Sequence, residues 1–214
     1  MTTHPDRVVS FIHILTYFSV IAVTSGAITA AELRVDADIL GKIKKALHDP
    51  AGHHFQVKWS YSALDDSWEG RGTLSILGSD YLELNLPYQT ILIQESTIMT
   101  HYSETDQVVI DRFNRKDPSS FFSILLGDFS GFSVRAVSRI DENKVRVRLT
   151  AETLVGFDRL DIIVNSYDWL PVSIRGSIGD DARVAVTVES VSSLKDAERL
   201  TNESLRGKEI IDLR

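Results

Sequence analysis

Histidine is the first residue type in this chain that could carry chemistry, and it occurs six times. His53 and His54 are adjacent, and two imidazoles side by side suggest a metal site. Neighbours on a strand point to opposite faces, however, so this pair cannot chelate one ion from regular backbone. Asp65-Asp66 and Asp180-Asp181 are acidic doublets. Paired carboxylates do acid–base work in glycoside hydrolysis, but Asp in a turn also bends the chain on its own account. Gly70-Arg71-Gly72 is a lone GxG inside a strand pattern, where it marks a bulge or a tight bend better than a phosphate cradle. The chain contains no HExxH motif, GxSxG elbow, Walker loop or EF-hand loop. It also has no cysteine, which excludes disulfides, thiolate zinc, iron–sulfur clusters, cysteine nucleophiles and a cysteine-borne lipid anchor. No catalytic residue, metal or cofactor is expected. The enzyme reading that stays open is an esterase or glycosidase acting on envelope material.

Binding is therefore the more productive question, and charge narrows the partners. Lys and Arg number 23 against 30 Asp and Glu, for a formal net charge of −7 over 214 residues. Such a chain lacks the basic footprint that phosphate backbones demand, so nucleic acid is not an expected partner. With 43% hydrophobic residues it can fill a sizeable core, and its length suits one all-β domain.

From Val8 to Ala31 there is no Asp, Glu, Lys or Arg, and large apolar residues give way to small ones. That is a signal-peptide profile, with small-x-small pairs at Ser25/Ala27 and Thr29/Ala31, and we place cleavage near Ala31. The alternative is an uncleaved anchor, since 24 uncharged residues could span a bilayer core. Residues 1–31 carry one charge of each sign, Asp6 and Arg7, so the expected mature domain, residues 32–214, keeps the whole −7. An exported, acidic, cysteine-free domain suits a bacterial periplasm.

The mature region opens with a helix over Asp36–His48, in which Ile39, Leu40, Ile43 and Leu47 share a face opposite Lys42, Lys44 and Lys45. From His53 the period becomes two. Phe55, Val57, Trp59 and Tyr61 alternate with polar residues, and ten more strand patterns follow, the clearest being Val145, Val147 and Leu149 against Arg146 and Arg148. Short polar turns join them, which predicts a wide, curved antiparallel sheet of about eleven strands. One segment breaks the rhythm. After Asp117-Pro118, a cap residue and an N1 proline, comes SSFFSILLGD, a short helix apolar on most of its circumference. Such a helix must be covered on several sides, and a curved sheet offers that only within its concave face. Eleven strands around one helix enclose more interior than side chains of a small barrel fill, which predicts an apolar cavity. Its candidate wall is Trp59, Tyr61, Leu74, Ile76, Leu84, Val147 and Leu149, and its candidate lid is Phe121, Phe122 and Leu125.

A series of motifs then carries a resemblance. Gly70-x-Gly72-x-Leu74 is followed by a strand ending Leu84-x-Leu86-Pro87, by Gln89-Thr90-Ile91-Leu92-Ile93, by Tyr102 with Asp106-Gln107-Val108, by Asp117-Pro118 and by the ending Gly207–Arg214. In this order the chain resembles the outer-membrane lipoprotein carrier protein (LolA) family over nearly all of residues 32–214. The resemblance implies an open, strongly bent antiparallel β-barrel with a helical lid, and a monomeric periplasmic carrier without enzymatic activity. Lipoprotein or other lipid acyl chains would enter the cavity and be carried from an inner-membrane release complex toward an outer-membrane receptor. An envelope sensor or interaction module on the same fold is the alternative. The chain departs from the family at identifiable places. Gly78-Ser79 stands where the family has an Arg-Pro pair that helps latch the lid, Glu95-Ser96 replaces an Asp-Gly turn, and Thr100 replaces an aromatic residue. Lacking cysteine, the chain is not expected to be the lipid-anchored receptor of this fold.

Overall fold

The computed structural model describes residues 30–64, 66–117, 120–153, 156–194 and 208–214, with side chains from Ile39 onward. The first helix, α1 (Ala30–Leu47), starts earlier than the periodicity predicts, and its Ile39, Ile43 and Leu47 are buried at i, i+4 and i+8. Lys42, Lys44 and Lys45 face out, and the Lys42 ammonium lies 5.0 Å from the centre of the Trp169 ring. His53 caps the last turn of α1, donating from Nε2 to the Ala46 carbonyl at 2.8 Å, which otherwise receives only a long 3.4 Å bond from the Asp49 amide. His54, on the next residue, shares a 2.9 Å hydrogen bond with Ser75 Oγ instead. The two imidazoles thus diverge, as strand geometry requires.

Eleven strands follow the order in which the sequence alternates: β1 (His53–Ala63), β2 (Asp66–Leu77), β3 (Tyr81–Leu86), β4 (Gln89–Gln94), β5 (Thr97–Tyr102), β6 (Gln107–Arg112), β7 (Phe132–Arg139), β8 (Lys144–Ala151), β9 (Arg159–Asn165), β10 (Pro171–Ile178) and β11 (Ala182–Ser193). A twelfth, β12 (Glu209–Asp212), was not expected. All four of its residues are exposed, so no burial period marks it, and it pairs parallel to β6 where every other neighbouring pair is antiparallel. The single sheet has the order β12-β6-β5-β4-β3-β2-β1-β11-β10-β9-β8-β7, so β1 and β11 meet in its middle and the sheet does not close on itself.

Its curvature needs local devices. Register shifts occur at Gln56/Val57 against β11, at Pro171/Ser173 against β9 and at Val134/Ala136 against β8, each a place where one extra residue bends a strand. Gly70-Arg71-Gly72 is no bulge, since β2 runs in unbroken register with β1 there and its pairing with β3 begins only at Thr73. Glycine is required for close approach: a Cβ on Gly72 would stand 2.0 Å from the Asn85 carbonyl oxygen, and one on Gly70 2.7 Å from the Trp68 ring. The free edge β7 carries its own bulge and exposed Arg135 and Arg139, features that discourage pairing with another chain.

β12 is held by a polar cluster. The Asp106 carboxylate, on a turn residue at φ +52°, pairs with Lys208 and accepts from His101 Nε2 at 2.9 Å, while Gln107 donates to Glu209 at 2.8 Å. The bonds from Lys208 first, then His101, hold the Asp106 acid below the usual aspartate range. A carboxylate whose folded value is depressed contributes to docking above its unfolded value, about 3.9, and loses that contribution as pH falls through the lower folded one. We expect amide NMR signals of Ile210 and Ile211 to move toward unpaired positions as pH drops below about 4. In Asp106→Asn the same movement is expected already at neutral pH.

Candidate functional site

The concave face of the sheet is the candidate site, and a second helix occupies it. α2 (Phe121–Leu125) is five residues long and buried at every position. It starts later than the proline signal implies. Ser120 is its N-cap, without a side-chain capping bond, and Asp117 instead closes a preceding turn by accepting from the Ser120 amide at 3.1 Å. Pro118 lies outside the described residues. The C-terminal end is well formed: Gly127 at φ +73° donates to Ile124 O, and Asp128 donates to Ser123 O, both at 2.9 Å. This is the Schellman arrangement, which needs a left-handed residue after the helix. His48, just past α1, then donates from Nε2 to the Leu126 carbonyl at 2.7 Å and ties the two helices together.

Of the ten candidate cavity residues, nine meet in one buried cluster: Trp59, Leu74, Ile76, Leu84, Val147 and Leu149 from the sheet, with Phe121, Phe122 and Leu125 from α2. Tyr61 does not join it. It stands partly exposed one pleat beyond Trp59, and its phenol is pushed up by partial burial and, secondarily, by nearby Asp66. Trp59 meets Phe121 edge to face, with centroids 5.5 Å apart at 86°. On its other side Phe121 touches Phe157 at 5.4 Å.

Phe157 is a site residue that periodicity misses, because it comes from the loop between β8 and β9 and belongs to no strand. Its signal lay across the sheet. Gly176 interrupts β10 because a Cβ there would stand 2.5 Å from the Phe157 ring, and a glycine inside a strand is a mark of close approach.

Among the described residues, a small apolar cavity of about 10 Å³ lies between α1, α2 and the sheet, bordered by Leu47, Leu74, Ile76, Leu125 and Ile174, no more than about one water's worth of space. Phe121, Ile124 and Leu125 of α2 are themselves buried in the concavity. One polar atom goes in with them. Ser123 Oγ is buried without a hydrogen-bond partner among the described residues, an arrangement that costs about 1–3 kcal/mol.

Two of the three departures from the family pattern meet beside the segment that leads into this helix. Gly78, at φ +55°, and Ser79 form the β2–β3 turn, and the Glu95 amide of the β4–β5 turn donates to the neighbouring Asp80 carbonyl at 2.9 Å. The Phe113 amide in turn donates to Ser96 O at 2.8 Å. From the segment that leads into α2, Arg115 reaches back and pairs with the Asp80 carboxylate. An arginine therefore ties the lid segment to this turn, but it sits on the lid side of the contact.

Among the described residues, polar groups elsewhere do not assemble into a reactive constellation. The Ser75–His54 pair has buried Glu83 as cross-strand neighbour, but Glu83 receives hydrogen bonds from the Tyr81 hydroxyl and from Asn85 Nδ2 at 2.8 Å. Among the described residues no three His, Asp or Glu side chains group as metal ligands.

No family model matches the chain, and no curated protein sequence does. Solved structures do match in fold. A conserved protein from Thermus thermophilus aligns with a TM-score of 0.53 at 13% identity, over 82% of this chain and 98% of that one. A domain assigned as outer membrane lipoprotein-sorting protein from Vibrio parahaemolyticus aligns at 0.46 and 7% identity, covering 81% and 97%. A LolA superfamily protein from Nitrosomonas europaea aligns at 0.41 and 11%, covering 84% and 98%. The first of these establishes a shared fold. That shared architecture is an open, curved, mainly antiparallel sheet with a short helix lying in its concavity.

Magnitudes decide what holds the lid. Burial contributes about 1.5–3 kcal/mol for each large apolar side chain, so Phe121, Phe122, Ile124, Leu125 and Leu126 together outweigh any single polar tie. The Arg115–Asp80 pair is partly exposed, and such pairs are worth roughly 0.2–1 kcal/mol. Urea denaturation should therefore show a loss of about 3–5 kcal/mol for Phe121→Ala. Arg115→Ala or Asp80→Asn should lose less than about 1 kcal/mol.

Proposed function

We propose that this protein binds apolar acyl chains in the concavity of its sheet after α2 swings out, and carries them without covalent chemistry. The observation that carries the reading is the lid: a five-residue helix, buried throughout, fills an apolar concavity from flanking loops instead of belonging to the sheet. A core segment built for stability alone has no need of a buried serine hydroxyl without a partner. Replacement of one apolar filler by another is energetically balanced. An acyl chain contributes about 0.8 kcal/mol per buried CH₂, so about a dozen methylenes match the burial that α2 gives up.

The cargo class that fits is a lipoprotein or another acylated lipid, which cannot cross water unaided for the same reason. Residues 1–31 act as a secretion signal in this reading, and the domain from residue 32 onward works in the periplasm. There it receives cargo from an inner-membrane release complex and gives it up toward the outer membrane, acting as a monomer.

Two measurements test the proposal. Protein recovered from a membrane-containing host should carry acylated lipid detectable by mass spectrometry after organic extraction. In a Trp68→Phe/Trp169→Phe background, Trp59 is left as the reporter of lid position. Its emission should shift when a fatty acyl probe binds, because Phe121 leaves its ring. Protein that holds no lipid and gives no response to acyl probes would overturn the proposal. Capture in cells of one stable membrane partner, with no lipoprotein crosslinked, would favour the sensor module.

A further inference from the structure

The outer face of β7–β11 bears a charge pattern that the interior does not explain. On β8, Val145, Val147 and Leu149 point inward and are buried, which sends Arg146 and Arg148 to the opposite face. Register places Arg148 beside Asp161 of β9 and Asp161 beside Arg175 of β10. Arg146 approaches the same carboxylate diagonally, at 3.3 Å. One acid thus stands among three arginines. Arg148 and Arg175 are exposed and have no ion-pair partner among the described residues, and the same holds for Arg183 on β11.

Asp161 and the Arg71-paired Glu189 apart, the acids of this half of the chain lie toward the ends of its strands. Asp141, Glu142 and Asp168 lie in the turns at one end, and Asp158, Asp180 and Asp181 at the other. Two of those turns use Asp for local bonds: Asp141 Oδ1 accepts from the Asn143 amide at 2.8 Å and Asp168 Oδ1 from the Leu170 amide at 3.0 Å. The arginines have no comparable local task. In a chain of net charge −7, Arg148 and Arg175 thus stand without an ion-pair partner among the described residues near the middle of one convex face, with Arg183 toward its edge.

We propose that this arginine face docks the protein on an anionic phospholipid surface. Neighbouring strands lie about 4.8 Å apart, so Arg148 and Arg175, two strands apart, spread their charge over about 10 Å. Spread cations complement a plane of anionic headgroups better than a single bound anion. A flat bilayer meets the centre of a convex sheet first, while the acidic turns recede from it. An acidic peptide laid along the strands would run into those turns at both ends. Each arginine adds about a fivefold gain in affinity at such a surface, so contact is weak, salt-sensitive and reversible. The site is separate from the interior, because Arg148 lies on the other side of the sheet from Val147 and Leu149.

Vesicle co-sedimentation of the protein recovered from the cell envelope tests this. Binding is expected to vesicles of phosphatidylglycerol mixed with phosphatidylcholine, to fade as salt is raised, and to be much weaker on pure phosphatidylcholine. Arg148→Gln and Arg175→Gln, which leave the buried face untouched, should each lower binding about fivefold, and R148E/R175E should lower it further. Lys44→Glu with Lys45→Glu, a double charge reversal on α1 equal to R148E/R175E, should leave binding within about twofold. Equal binding to both vesicle types, or binding unmoved by the arginine substitutions, overturns the assignment. Capture of polyglutamate through these arginines with no vesicle binding also overturns it, in favour of an acidic polypeptide. Neither result bears on acyl binding in the interior, which the lipid extraction reads independently.

Discussion

Everything in this fold depends on keeping one apolar surface away from water. A curved sheet of twelve strands presents a concave face of Phe, Trp, Leu, Ile and Val side chains that its own strands cannot cover, because the sheet does not close. α1 covers part of that face, and α2 lies buried against it. The filler is short, enters and leaves through loops, and is held mainly by burial, with the Arg115–Asp80 pair and the His48–Leu126 hydrogen bond as minor directional ties. Burial is non-directional and proportional to the apolar area removed from water, so any apolar body of similar size can replace α2. In the proposed function, a lid that is part of the core and a site that opens only when the lid leaves are two descriptions of one constraint.

The parts of the architecture that obey a period were legible in the sequence. The strict alternation in β1 and β8 is the burial pattern of a half-covered sheet, and Ile39, Ile43 and Leu47 bury at helical spacing. Helix α2 was legible for a different reason: a cluster of five large apolar residues among strands has nowhere to go but inside. What escaped notice has no period. β12 has four exposed residues and is recognised only by its partner β6, through contacts that involve Asp106, Gln107 and His101 far away in sequence. Phe157 sits in a loop and becomes a site residue only because Gly176 lets its ring approach β10.

Strand number bounds the volume that a sheet can enclose but not what fills it. The side chains that enter decide that, and α1, α2 and Phe157 all place side chains in the concavity. The same two-sided logic applies to charge. A strand buried on one face must put something polar on the other. On β8 through β11 that something is mostly arginine, while the acids that make the chain negative are used in turns. Net charge alone conceals that division.

The central claim is that α2 and an acyl chain compete for the same concavity. Hydrogen exchange by mass spectrometry, with and without a bound acyl lipid, tests it most directly, because the amides of Leu126, Gly127 and Asp128 are bonded within the lid while those of the strands are bonded within the sheet. The account predicts that acyl binding removes protection from residues 121–128 and leaves β1, β2, β8 and β10 protected as before. Unchanged or increased protection of the lid, with acyl lipid demonstrably bound, would contradict it.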